Sequence, residues 1–273
     1  MPELPEIESI LRGLEPVFIG TVVQEVVVRQ FKLRWPIPSG IQGDLIHQTI
    51  ISLQRRGKYL LMRMDSGALI LHLGMSGSLC VVNSATPLKT HDHVDIIISD
   101  TLILRYNDPR RFGAILWTKD DPLQHFLLKS LGPEPLLEDF TAQYLKSKAS
   151  HRRISIKAFI MDSHVVVGVG NIYAAEALFL VGIHPATPAG NLSLLHCKSL
   201  VASIRSVLQT AIQMGGTTLK DYVNSQGKPG YFAQQLNVYG RAGLPCRNCQ
   251  KPLQRLTLGQ RSTVFCENCQ VSI

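Results

Sequence analysis

The first residues able to do chemistry are Met1-Pro2-Glu3-Leu4-Pro5-Glu6. Removal of Met1, expected because proline is small, turns the Pro2 nitrogen from an inert amide into a secondary amine. Its reference pKa of about 7.7–8.0 leaves a useful fraction unprotonated near neutrality. Glu3 places a proton donor beside it, and an amine next to a carboxylic acid is the pairing covalent catalysis needs. A structural reading competes: Pro5 opens a helix whose positive end favours Glu6 and Glu8. At the other end, Cys246-x2-Cys249-x16-Cys266-x2-Cys269 has the spacing of a four-thiolate zinc ribbon. So short a tail has too little core to fold alone, so one bound ion supplies much of its stability. Four protein ligands leave no open position, which makes that zinc structural. Cys80 and Cys197 fall outside the pattern and read as small apolar fillers.

Between these ends lie further groups. Arg55-Arg56-Gly57-Lys58 offers cations to phosphates, and Gly74-Met75-Ser76-Gly77 sets a flexible apolar side chain between glycines. Asn107-Asp-Pro-Arg-Arg-Phe-Gly113 puts arginine and phenylalanine on a turn, the mixture needed to part stacked bases. The run Val165-Val-Val-Gly-Val-Gly170 leads into a helix whose first N–H groups can approach a phosphate. His91 and His93 are expected to face opposite sides of a strand, which argues against a zinc pair there.

These groups need elements to hold them. The chain has 273 residues, 45% of them hydrophobic, which suits two or three packed units. Its net charge of +8 favours a polyanionic partner. No apolar run approaches the roughly 20 residues of a membrane helix, and no secretory signal opens the chain, so a cytoplasmic protein is expected. Ile7, Ile10, Leu11 and Leu14 mark a helix that Gly13 and Pro16 should close. Short strands are expected over 21–29, 59–64, 68–73, 78–82, 93–98, 102–106 and 114–117, as in a sandwich or barrel. After Leu131-Gly-Pro-Glu-Pro135, helices are expected over 140–147, 154–161 and 171–181. A longer one, with Leu200, Val201, Ile204, Val207, Leu208 and Ala211 on its apolar face, should end at Gly215-Gly216. The glycine-rich stretch 217–231 reads as a lid or a linker.

Taken together, Pro2-Glu3, Lys58, Met75, Asp108-Pro-Arg-Arg-Phe112, Val167-Gly-Val-Gly-Asn171 and the four cysteines resemble those of formamidopyrimidine-DNA glycosylases, in order and from end to end. The resemblance implies an α+β multidomain chain. An N-terminal β-sandwich with a leading helix would span residues 1–131, a helix–two-turn–helix domain 132–235, and a zinc ribbon 236–273. It implies excision of 8-oxoguanine and formamidopyrimidines from duplex DNA, then strand cleavage. Pro2 resembles the nucleophile and Glu3 the acid that opens the sugar ring. Lys58 resembles a lysine active in base release, and Arg261 an arginine tied to the last elimination. His91, Arg110, Arg152 and Asn171 match backbone-binding positions, although relatives often carry lysine where Arg152 stands. Met75, Arg110 and Phe112 resemble the gap-filling triad, and Lys220 lies in the loop over the extruded base. The implied cofactor is one structural Zn²⁺. The implied partner is double-stranded DNA with oxidised purines or abasic sites, bound by a nucleoid-associated monomer. Two alternatives remain: an endonuclease VIII-like enzyme for oxidised pyrimidines, and a non-catalytic zinc-dependent reader of DNA damage.

Overall fold

The computed structural model describes residues 2–217, 225 and 230–273. It has two compact units, Met1–Lys129 with Ile212–Tyr231, and Ser130–Ala211 with Phe232–Ile273.

In the first unit, α1 (Leu4–Phe18) starts at a reciprocal capping box in which the Glu3 N–H donates to Glu6 Oε2 at 2.7 Å. The expectation that Gly13 and Pro16 end this helix is corrected, because both lie inside it. Ile7, Ile10, Leu11, Leu14 and Phe18 are buried along one face, and that burial outweighs the backbone bond Pro16 forfeits. Gly13 serves a close approach, since a Cβ there would collide with the Ser225 hydroxyl.

β1 (Glu25–Val28) and α2 (Ile41–Leu45) follow, then β2 (Ile50–Arg56), β3 (Tyr59–Met64), β4 (Gly67–His72) and β5 (Ser78–Val82). β6 (Asp92–Ser99), β7 (Leu102–Asn107) and β8 (Ala114–Thr118) complete the set. They form two antiparallel four-stranded sheets ordered β1-β6-β7-β5 and β2-β3-β4-β8. β2 escapes sequence inspection because a register shift between Ile50 and Ser52 breaks its apolar alternation. The expected strand over 21–29 shrinks to four residues, with Val22 making a lone bridge to Thr49. Val26, Leu60, Met62, Leu69, Leu71, Val94, Ile96 and Leu104 fill the sandwich core with the apolar face of α1.

In the second unit, α3 (Ala142–Ala149) and α4 (Ile156–Ile160) start later than expected. Thr141 and Ser155 take the capping positions, their hydroxyls accepting from the N–H groups of Tyr144 and Ala158. α5 (Asn171–Leu180) is buried along nearly its whole length. α6 (Leu194–Gln213) is followed by Gly215 and Gly216 at φ of +75° and +86°, the left-handed turn expected there. β9 (Gln254–Leu258) and β10 (Arg261–Phe265) pair as a hairpin. Buried Glu176 of α5 accepts the main-chain N–H groups of Asn237, Val238 and Tyr239 at 2.8–2.9 Å, anchoring the segment that leads to this hairpin. No described helix is long and apolar enough to cross a membrane.

Candidate active site and nucleic-acid interface

Pro2 is buried immediately before α1, and Glu3, 2% exposed, is the capping residue. Glu6 fixes this corner with both oxygens: Oε2 accepts from the Glu3 N–H, and Oε1 from the Thr217 N–H at 2.8 Å. Thr217 opens the stretch read as a lid, and Lys220, within it, lies outside the described residues.

Lys58 sits with Gly57 in the two-residue β2–β3 turn, where Gly57 has φ +58°, and that turn is fastened to α1. Arg55 donates through Nε to Glu8 Oε2 at 2.9 Å and through Nη1 to the Gly57 carbonyl at 3.2 Å. Glu8 also accepts from Arg12 at 3.0 Å. Burial raises the Glu8 pKa, but the two guanidiniums outweigh it and leave the carboxyl below its usual range.

His72, at the end of β4, is a candidate site residue that sequence inspection overlooks. Burial first, then the Lys58 and Arg34 cations, lower its pKa to about 4, so the ring is neutral at physiological pH. Its Nδ1 accepts from the Gly74 N–H at 3.0 Å, which assigns the ring proton to Nε2. The only sequence signal is its position two residues before Gly74-Met75.

Met75 and Phe112 are exposed large apolar side chains, 39% and 42% accessible. The Arg110 guanidinium lies 4.7 Å above the Phe112 ring. One expectation fails here: the His91 and His93 rings are 5.9 Å apart and edge-to-face, not on opposite sides. Residues two apart along a strand share a face, and His91 precedes β6 at φ +73°. His93 is buried, its Nε2 on the Asp108 carbonyl at 2.8 Å, whereas His91 remains partly exposed.

In the second unit, Asn171 is the first residue of α5. Its Oδ1 accepts from Lys157 Nζ at 2.5 Å and its Nδ2 donates to the Ser262 carbonyl at 3.2 Å. Lys157, 1% exposed, also donates to Thr263 Oγ1 at 2.7 Å. It is a second residue absent from the sequence reading, because nothing local distinguishes it from other lysines. Arg261 starts β10 and lines a cavity of about 190 Å³ with Lys157, Met161 and Leu258. Arg152 is exposed between α3 and α4.

The ligand atoms of Cys246, Cys249, Cys266 and Cys269 all lie within 4.8 Å of one another. Two Sγ–Sγ separations are 3.9 and 3.4 Å; four bonds of about 2.3 Å to a tetrahedral zinc require about 3.8 Å. The donor set therefore fits one structural zinc ion. Cys197 is buried as expected of a filler, whereas Cys80 is only partly buried and lines a cavity under the loop before β6.

Three family models match the chain: the formamidopyrimidine-DNA glycosylase N-terminal domain over residues 1–115, the H2TH domain of the same glycosylases over 131–223, and a zinc finger found in FPG and IleRS over 243–271. Formamidopyrimidine-DNA glycosylases of Saccharophagus degradans and Hydrogenovibrio crunogenus are 54% and 50% identical over 270 residues, 99% of this chain and 100% and 96% of theirs. A Lactococcus lactis FPG mutant, solved with a Fapy-dG containing DNA, superposes with a TM-score of 0.92 at 33% identity over 98% of this chain and 99% of its own. The FPG protein of Thermus thermophilus gives 0.90 at 34% identity over the whole of both chains.

The chain belongs to the formamidopyrimidine-DNA glycosylase family.

That membership and the geometry agree on the kind of chemistry available. The chain has a buried Pro2 beside the Glu3 carboxyl, a lysine on a braced turn, exposed Met75 and Phe112 side chains, and a hairpin bearing arginine next to the four-cysteine zinc site. Its zinc, with four thiolates, stabilises the hairpin and leaves catalysis to organic groups.

Proposed function

We propose that this chain removes 8-oxoguanine and formamidopyrimidines from duplex DNA and then nicks the strand, as a glycosylase and abasic-site lyase. The observation that carries this reading is the corner in which Pro2 is followed by Glu3 at the cap of α1, held by Glu6. The Pro2 amine attacks C1′ of the extruded nucleotide, and the glycosidic electron pair leaves with the base. Glu3 protonates the ring oxygen, so the sugar opens as the C1′–nitrogen bond becomes an iminium. A secondary amine cannot shed charge to give a neutral imine, so the cation persists and acidifies the C2′ protons. Loss of one such proton expels the 3′ phosphate, and a second elimination expels the 5′ phosphate. Water then hydrolyses the iminium, which frees the Pro2 amine and the five-carbon unsaturated aldehyde left from the sugar; the products are the base, that aldehyde and a one-nucleotide gap bounded by phosphates.

Lys58 acts in base release and holds phosphate, with neutral His72 offering its Nε2–H beside it. Arg261 grips phosphate and acts in the last elimination. His91, Arg110, Arg152 and Asn171 take the backbone, and Lys157 holds the Asn171 amide in one orientation. Met75, Arg110 and Phe112 fill the space the nucleotide leaves, Arg110 facing the widowed base, and Lys220 belongs to the loop above the extruded base. Functional boundaries near 131 and 235, a monomeric state and a nucleoid-associated cytoplasmic location belong to the same reading.

The test is borohydride trapping. Protein shown by intact mass to start at Pro2 should become covalently linked to 8-oxoguanine duplex, and an N-terminal extension should abolish the link while sparing binding. Failure of the processed protein to cross-link would leave only a zinc-bearing DNA binder. Preference for thymine glycol over 8-oxoguanine would move the chain to the endonuclease VIII-like branch.

A further inference from the structure

The wedge side chains come from two separate turns, Met75 from the β4–β5 turn and Arg110 and Phe112 from the β7–β8 turn. One carboxylate joins those turns. Asp108 is 0% exposed, and its Oδ1 accepts from the Ser76 hydroxyl at 3.1 Å. Its Oδ2 accepts from the Gly113 N–H at 2.9 Å and the Tyr106 hydroxyl at 3.4 Å. Ser76 completes the link, its Oγ accepting from the Arg110 N–H at 3.3 Å. The Asp108 main chain is also held, its carbonyl accepting from Arg111 N–H and His93 Nε2 and its N–H donating to the His91 carbonyl.

The backbones of the two turns also touch. Gly74 has φ +60°, and a Cβ there would collide with the main chain of Phe112 and Gly113. Burial first, and then the Asp108 charge, push the Tyr106 hydroxyl well above its usual pKa, so it keeps its proton, which it shares between the His72 carbonyl at 3.1 Å and Asp108 Oδ2 at 3.4 Å.

We propose that Asp108 and Ser76 are positioning residues that cross-brace the two turns, so that Met75, Arg110 and Phe112 enter the base stack as one preassembled wedge. The inference rests on the wedge assignment above. Neither residue need touch DNA, since Asp108 is enclosed and the Ser76 hydroxyl is engaged at both ends. Without the brace each turn must order separately during insertion, and that entropy is charged against base extrusion. Schiff-base chemistry at an already exposed sugar would not sense it.

The experiment uses the full chain with its zinc and compares two single-turnover rates. One is excision of 8-oxoguanine paired with cytosine in a duplex; the other is borohydride trapping on an abasic site in single-stranded DNA, which has no opposing stack to part. Ser76→Ala is expected to slow duplex excision about tenfold and to leave single-strand trapping unchanged. Ser76→Thr, which keeps the hydroxyl, is expected to restore the duplex rate. Met75→Ala and Phe112→Ala serve as controls that remove the wedge directly. If these controls slow duplex excision and Ser76→Ala does not, the brace is refuted. If the controls are also at wild-type rate, the wedge assignment fails and the inference goes with it. Equal slowing of both rates by Ser76→Ala would reduce Ser76 to a general structural residue and overturn the proposal. Asp108→Asn, studied below its melting temperature, should show the same selective loss, because an amide cannot accept on both sides; parallel loss of both rates would again overturn it.

Discussion

Replacing Glu8 with glutamine tests the coupling between α1, which Pro2 precedes, and the Lys58 turn. The substitution keeps size and one acceptor while removing the charge shared by Arg12 and Arg55. The Arg12 arm is 60% exposed, so by the usual scale of helical i,i+4 pairs it contributes about 0.3–0.5 kcal/mol. The Arg55 arm is largely enclosed, at 11% and 19% exposure, and its 2.9 Å contact falls in the charged hydrogen-bond class, about 1.5–3 kcal/mol. Glutamine keeps part of that, so Glu8→Gln should cost about 1–2 kcal/mol and lower the melting temperature by roughly 3–6 °C at pH 7.

The sign of the pH dependence follows from the lowered Glu8 pKa. The stabilisation is complete above the unfolded carboxyl value of about 4.5 and is lost as pH falls through the lower folded value. The gap between wild type and Glu8→Gln should therefore narrow below pH 4.5. Because Arg55 also holds the Gly57 carbonyl next to Lys58, single-turnover trapping should slow about tenfold at temperatures where the variant is folded. Melting curves from pH 7 to pH 3.5 and trapping kinetics measure both. Identical melting at pH 7, or a gap indifferent to acid, would refute the ion-pair account; unchanged trapping would refute the coupling.

Two further predictions concern the zinc and His72. Chelating the zinc should weaken DNA binding at least about tenfold, because Val238, Leu253 and Val264 form too small a core to hold the hairpin alone; anisotropy titrations after verified metal loss would show it, and unchanged affinity would contradict it. His72→Asn, whose Oδ1 can accept from Gly74, should flatten the pH dependence of stability between pH 6.5 and 4. There the wild type loses up to roughly 3 kcal/mol, as the unfolded imidazole binds a proton that the folded ring, with its pKa of about 4, refuses; equal slopes in unfolding titrations would count against a neutral His72.

Much of the local architecture was legible because its causes lie within a few residues. The start of α1 was signalled by Pro5, Glu6 and Glu8, and the left-handed turn after α6 by Gly215-Gly216. Apolar alternation located most strands. It failed at β2, where a register shift inserted one residue, and at α2, whose five residues are too few to show a period. Gly13 and Pro16 were misread because their local tendency to end a helix was weaker than the burial of its apolar face.

By itself the sequence determined which groups could do chemistry. A prolyl amine beside a glutamate, four thiols at ribbon spacing, and a methionine, arginine and phenylalanine on turns are statements about residue type and short separations. The tertiary structure alone decided how those groups are held. Arg55 meets Glu8 across 47 residues and Thr217 meets Glu6 across 211. Lys157 reaches Thr263 across 106, and Ser76 finds Asp108 across 32. No periodicity spans such distances: covalent geometry correlates only near neighbours, whereas these partners meet because packed sheets and helices bring remote backbone together and burial obliges each polar group to find a partner.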